Sequence, residues 1–267
     1  MDFDKLFEEF LTDWLEEHKE EYTPDEVEYM LPELYEKWLT TPCDELGGVS
    51  PEDYYANKTD PKELVDEFIA MNEGDNNPSS LLIDHIVEVE GCDKYLIDII
   101  ENHTDPKTVI GAMNILQEMG AKPPVDRYLF FITTEGVDEG VRELASEVLK
   151  EMASEVREKL LVLLPTATLE VKEILAEILV ETDHDDRIYD LLKELFVTSD
   201  NTPFIAGLIA RYGDERSVSY LYPALDDCNY LEFIEIRNAI ESLGGVVDDE
   251  YRDFSDDEYY KAMKNLK

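Results

Sequence analysis

The residues of this 267-residue chain with the plainest chemical potential are four histidines and 65 carboxylates. His85 stands three residues before Glu88, and His184 lies between Asp183 and Asp185, so either imidazole could join neighbouring acids around a cation. No two histidines are four residues apart and no His-Glu dipeptide occurs, which removes the helical two-histidine zinc signature. Asp183, Asp185 and Asp186 lack the central Gly and terminal Glu of a calcium loop, so they offer loose divalent binding at most. With so many acids, paired carboxylates carry no information about acid–base catalysis. Gly-rich phosphate loops and a GxSxG elbow are missing, and Cys43, Cys92 and Cys228 have no neighbours that would activate a thiolate. These patterns call for no cofactor and put forward no catalytic residue. The plainer reading of the histidines is a helix surface or inter-helix turn where nearby acids favour the charged ring.

Charge narrows the range of partners. Asp and Glu outnumber Lys and Arg by 65 to 23, for a formal net charge of -42. Such a surface repels phosphate backbones and anionic lipid headgroups, so nucleic acid and bare membrane are excluded as partners and a basic or mixed-charge protein is favoured. Three other readings compete: a surface that only keeps the chain soluble, one that mimics nucleic acid to sequester a DNA-binding protein, and a metal-dependent enzyme or regulator with an unrecognised site near His85 or His184. The Debye length at physiological salt is about 8 Å, so only close carboxylates such as Glu16, Glu17, Glu20 and Glu21 repel strongly, and stability is expected to rise with salt. Hydrophobic residues make up 43% of the chain, enough for a sizeable core. An odd number of cysteines without a CxxC pair suits free thiols in a reducing compartment. The opening residues are acidic rather than signal-like, and the apolar stretch Leu160 to Leu164 is far below the roughly 18 residues of a membrane span, so a cytoplasmic protein is expected. Nothing in the pattern specifies an oligomeric state.

The positioning elements are helices. Phe3, Leu6, Phe7, Phe10, Leu11, Trp14 and Leu15 recur at three-and-four spacing. Thr23, Pro24 and Glu26 announce a second helix through a capping box, with Val27, Leu31, Leu34 and Trp38 as its buried stripe. Gly47 and Gly48 permit a left-handed exit, and Ser50, Pro51 and Asp53 predict a restart. From residue 59 helix-sized apolar segments recur without any strand signature. Asp105-Pro106, Asn77-Pro78 and Thr202-Pro203 read as a cap followed by a first-turn proline, and TDPK occurs at both Thr59 to Lys62 and Thr104 to Lys107. Segments close at Gly91, Gly120, Ala153, Asp183, Gly213 and Gly244, a spacing near 30 residues that falls in the roughly 20 to 50 residue range of repeat architectures. The predicted units are 61–91, 92–120, 124–153, 154–183, 185–213 and 215–244, each an outer helix and then an inner one. Such pairs hide their apolar faces only by stacking, which requires end caps: residues 1–58 at one end, and at the other an acidic tail, 246–267, where Ser255 and Glu258 would box-cap a helix bearing Tyr259, Met263 and Leu266.

Gly213 to Asp227, GDERSVSYLYPALDD, resembles the turn and outer helix of a HEAT-like repeat of the phycobilisome-lyase-related type, through Gly213, Asp214, Val218, Leu221, Ala224, Leu225 and Asp227. VRELASEVL, Val141 to Leu149, is similar to the inner helix of those repeats, with Arg142 where the family often reaches toward an acid of the preceding turn. Val171, Lys172, Leu175 and Ala176 echo it, with Lys in place of Arg. The resemblance spans about residues 59–245 and implies an all-α fold, a right-handed α-α superhelix with a helical N-terminal cap. It also implies partner binding along a concave face of inner helices. Metal-dependent hydroxylases of this type need repeated His-Glu pairs, and DNA glycosylases of this type need a basic face; the chain has neither.

If Val141, Leu144 and Val148 face the core, Glu139, Arg142, Glu143 and Glu147 lie outside it. Lys172, Glu173 and Glu177 repeat this on a second inner helix, and Glu232, Glu235 and Glu241 on a third. The expected face is acidic with a few cations, suited to a basic peptide, and its competing reading is a solvated helix surface. Trp14, Tyr22, Tyr29, Tyr35, Trp38, Tyr54 and Tyr55 read as core or end-cap residues; Tyr54, Tyr55, Tyr259 and Tyr260, where exposed, would offer patches to a protein partner.

Overall fold

A computed structural model describes residues 3–19, 21–74, 77–248 and 251–265. Glu20 of the acidic run and Leu266 of the tail helix lie outside these described residues. Among them the chain is all-helical, with fifteen α-helices and no strand. The first two are α1 (Phe3–His18) and α2 (Pro24–Leu39). Six pairs follow: α3 (Pro61–Glu73) with α4 (Ser80–Glu88), α5 (Asp93–Asn102) with α6 (Pro106–Glu118), and α7 (Val125–Thr133) with α8 (Glu139–Glu151). Next are α9 (Ala153–Leu163) with α10 (Leu169–Leu179), α11 (Asp186–Thr198) with α12 (Thr202–Tyr212), and α13 (Val218–Ala224) with α14 (Tyr230–Ser242). The last helix is α15 (Glu258–Asn265). The chain divides into two compact units, residues 1–124 and 125–267.

Capping chemistry sets many of the helix starts. The Thr23 hydroxyl accepts from the Glu26 N–H, and the Glu26 carboxylate accepts from the Thr23 N–H at 2.8 Å, the reciprocal box read from the sequence. Both TDPK segments use their Asp: Asp60 accepts from the N–H groups of Lys62 and Glu63, and Asp105 from that of Thr108. A cap of this kind is worth about 0.5–2 kcal/mol. Other starts differ from expectation. Ser79, not Asn77, caps α4, and Pro78 precedes the helix because the shorter Ser hydroxyl reaches the Leu82 N–H. Asn201 caps α12, which places Thr202 inside the first turn. Ala153 opens α9 rather than closing α8. In the tail, Asp257 takes the N–H groups of Tyr259 and Tyr260, while Ser255 donates its hydroxyl to Asp253, so the expected Ser255–Glu258 box does not form.

No helix restarts at Ser50. The Ser50 hydroxyl donates to Asp53 at 2.8 Å and accepts the Asp53 N–H at 3.3 Å, closing a local turn over residues 51–57. That turn brings Tyr54 and Tyr55 against Phe3, with ring centroids 5.5 and 5.8 Å away. Phe7 packs on Trp38 at 5.2 Å and edge-on to Tyr35 at 5.1 Å. The buried stripe of α2 is shorter than the spacing implied: Leu34 and Trp38 are buried, Val27 is half-buried and Leu31 is exposed. Tyr55 is buried and its hydroxyl donates to Glu67 on α3 at 3.1 Å. Within residues 1–124, α3 packs on α4, α5 and α6, and α6 on α4 and α5.

Within residues 125–267, α8 packs on α7 and α10, α11 on α10 and α12, and α14 on α12, α13 and α15. Val141, Ala145, Val148 and Leu149 bury the inner stripe of α8, and Leu175, Ala176, Ile178 and Leu179 that of α10. Gly91, Gly120, Gly213 and Gly244, each following the second helix of a pair, hold φ between 62° and 93°, where a side chain would be strained. No described helix is long and apolar enough to cross a membrane.

Candidate functional site

On α8, Glu143, Glu147 and Glu151 follow one another at four-residue intervals, and on α10 and its exit Glu173, Glu177 and Glu181 do the same. A four-residue step returns to the same helix face, so each series is a row of like charges. Because α8 packs against α10, Glu143, Glu147 and Glu151 share a surface with Glu177 and Glu181. Two depressions open there and share Glu147 and Lys150. One, of ≈ 450 Å³, is lined by Arg142, Glu143, Ser146, Ile174 and Glu177; the other, of ≈ 670 Å³, by Glu151, Met152, Ser154, Glu155 and Glu181.

The cations on this surface already have carboxylate partners. Lys150 Nζ donates to Glu177 at 3.0 Å, and Arg211 on α12 lies 3.1 Å from Glu181. Arg142 donates to Glu170, in the first turn of α10, and to the Thr134 carbonyl. The arginine therefore bonds a backbone oxygen of its preceding turn, and the acid it reaches lies forward in the next pair, not behind. Glu143, Glu147 and Glu155 stand exposed.

The other residues singled out from the sequence fall elsewhere. Glu139 is exposed at the first position of α8. Lys172 turns toward α11, 2.7 Å from Glu194, and Glu173 is half-buried on α10. Glu232 closes the capping box of α14, accepting the Asn229 N–H at 2.9 Å. Glu235 is half-buried on that helix, and Glu241 pairs with Arg237 at 2.8 Å. The structure thus brings Arg142, Glu143 and Glu177 together. Lys150, Glu151, Glu155 and Glu181, which the sequence reading missed, complete the surface; of these only Glu151 carried a signal, the four-residue step from Glu143 through Glu147.

Both histidines proposed for cations are held by backbone oxygens. His85 Nε2–H donates to the Lys58 carbonyl at 2.7 Å and its ring stacks on Tyr55. Glu88 is exposed at the end of α4. His184 Nε2–H donates to the Tyr212 carbonyl at 2.8 Å and its ring stacks on Tyr212 at 4.7 Å. Asp183 is exposed beside it. Among the described residues no group of three or more His, Cys, Asp or Glu is placed to hold a metal ion.

Asp185 and Asp186 belong instead to a run of arginine bridges. Arg157 on α9 donates to Asp185 at 2.8 Å, and Arg187 binds Asp185 and reaches back to Glu158 on α9. One pair further on, Arg216 binds Asp214 and reaches back to Asp186. Asp185-Asp186-Arg187 and Asp214-Glu215-Arg216 are thus the same device repeated, an N-cap acid clasped by the Arg two residues later. Hydrogen bonds from Arg187 hold the Asp185 carboxyl well below the usual range, and those from Arg216 lower Asp214. The Tyr212 hydroxyl completes the junction by accepting the Asp185 N–H at 2.6 Å and donating to the Asp185 carbonyl.

No protein-family model matches the chain, and a search of curated proteins finds no match.

Proposed function

We propose that this chain is a non-catalytic protein-interaction module of HEAT-like repeats, stacked as a right-handed α-α superhelix. Its acidic α8–α10 face grips a basic segment of a partner protein. The observation that carries the reading is that the carboxylates Glu143, Glu147 and Glu151 of α8 and Glu177 and Glu181 of α10 and its exit line adjoining depressions on two helices packed together. Glu143 and Glu147 are exposed like charges four residues apart, which oppose a helix by about 0.2–0.5 kcal/mol per pair, so a cationic segment laid beside them offsets that repulsion. Support also comes from the six helix pairs at a near-constant period and from second helices packing on second helices, α4 on α6, α8 on α10 and α12 on α14.

The test is titration of the full chain with a synthetic peptide of alternating lysine and serine, read by calorimetry. Binding should weaken as salt rises and fall about ten-fold or more, roughly 1.4 kcal/mol, in Glu143→Lys/Glu147→Lys/Glu177→Lys. Unchanged affinity in that variant, with its helical circular dichroism intact, would sink the reading.

A further inference from the structure

We propose that a groove between α1 and the turn after α2 is a second docking site, which takes an apolar side chain of a protein partner flanked by Lys or Arg. The groove, of ≈ 330 Å³, has Leu6, Phe10, Trp38 and Pro42 as its apolar lining. Its polar lining includes Glu9, Asp13, Asp44 and Glu45. Along α1, Phe3 and Trp14 are buried, whereas Leu6 and Phe10 between them are only half covered. The stripe of this helix is thus interrupted where the groove opens.

Charge complementarity selects the occupant. Lys5 lies 3.6 Å from Glu9, while Asp13, Asp44 and Glu45 are exposed. The Cys43 thiol donates to Glu45 at 2.9 Å, and that bond favours the ionised carboxylate. An apolar lining beside carboxylates repels acidic segments, nucleic acid and anionic lipid, and matches an apolar anchor with cations on either side. The volume is at the small end of the roughly 300–1,000 Å³ typical of ligand clefts, which suits an anchor residue on a peptide segment rather than a folded surface. All of these residues lie in the unit 1–124, and none belongs to α8 or α10.

Cys43 makes the groove readable in the intact chain. It lines the groove and is half-exposed, whereas Cys92 and Cys228 are buried, so alkylation by iodoacetamide reports on Cys43. The probe is a synthetic peptide with a Leu-Leu pair between two lysine runs, and its control carries Ser-Ser in place of Leu-Leu. At ten times its dissociation constant the probe leaves about a tenth of the grooves open, so alkylation should slow about ten-fold. Cations that merely gather near the thiol would stabilise the thiolate and speed the reaction, so the direction of the change separates docking from loose attraction.

The Ser-Ser peptide should not protect. Asp13→Lys/Asp44→Lys should abolish protection by the Leu-Leu peptide, and Glu147→Lys/Glu151→Lys should leave it intact. If the double reversal loses helical circular dichroism, Asp13→Asn/Asp44→Asn replaces it and should weaken protection in the same direction. Equal protection by both peptides, no protection of the wild-type chain, or protection that survives these N-terminal changes would each overturn the proposal.

Discussion

Between α1 and the turn at Tyr55 the contacts are made by rings, whereas between α9 and α13 an apolar core is supplemented by arginines that bridge acids at the helix starts. At the N-terminal end Phe3, Phe7, Tyr35, Trp38, Tyr54 and Tyr55 form successive aromatic contacts with centroids 5.0–6.3 Å apart. Further along, Arg157, Arg187 and Arg216 bridge carboxylates of neighbouring pairs. The difference reflects repetition. A ring cluster has one fixed geometry; an Asp–Arg clasp can recur every 30 or so residues because it needs only a helix start and a neighbouring acid. It also predicts that only one of the two regions responds to salt, since burial of rings is insensitive to ionic strength and half-exposed ion pairs are screened.

The largest effect is expected from Trp38→Ala, which removes a buried indole from the ring cluster and should cost about 3–5 kcal/mol. Urea unfolding followed by the remaining Trp14 fluorescence reads this, and the loss should be similar at low and high salt. Asp185→Ala should cost about 1–2 kcal/mol, because it removes a helix cap together with partners of Arg157 and Arg187. Both tryptophans lie before residue 39, so this change must be followed by far-UV circular dichroism. Its cost should shrink as salt is added. Were Trp38→Ala the more salt-sensitive of the two, the contrast would fail.

Gly213→Ala should cost about 1 kcal/mol from backbone strain alone, since φ is 77° and an added methyl meets nothing within 4 Å. Acid should act on the clasps in a defined sense. Asp185 and Asp214 have folded-state pKa values below the unfolded value near 3.9, so the unfolded chain binds more protons below that point. Their stabilisation is present above about pH 4 and is lost as pH falls further. Melting temperature should therefore hold down to about pH 4 and fall below it, and the fall should be smaller in Asp185→Ala. The smallest effect, no measurable shift in the urea midpoint, is expected for Lys62→Ala, whose pair with Asp66 is exposed on one face of α3.

Much of the helical layout was legible because its signals are local. Thr23 with Glu26, and the two TDPK segments, specify helix starts through hydrogen bonds that span three residues. Ser50 was misread because Ser-Pro-x-Asp begins a tight turn as readily as a helix, and only the distant Phe3 ring decides between them. Ser255 lost its capping role to Asp257, which a three-residue spacing rule does not weigh. At the candidate site the glutamates of α8 were visible as outward positions, yet Lys172 and Glu232 were drawn elsewhere by Glu194 and Asn229. Arg187 and Arg216 carried a readable signal, the repeated Asp-x-Arg, whose meaning appears only when acids about 30 residues earlier come within reach.

The most direct test of the central claim, that the α8–α10 carboxylate rows are what a basic segment recognises, is amide hydrogen exchange on the full chain with and without the lysine–serine peptide. Slowed exchange confined to residues 139–151 and 169–181 is the predicted footprint. Protection spread evenly over the acidic helices, or absent from α8 and α10, would contradict it.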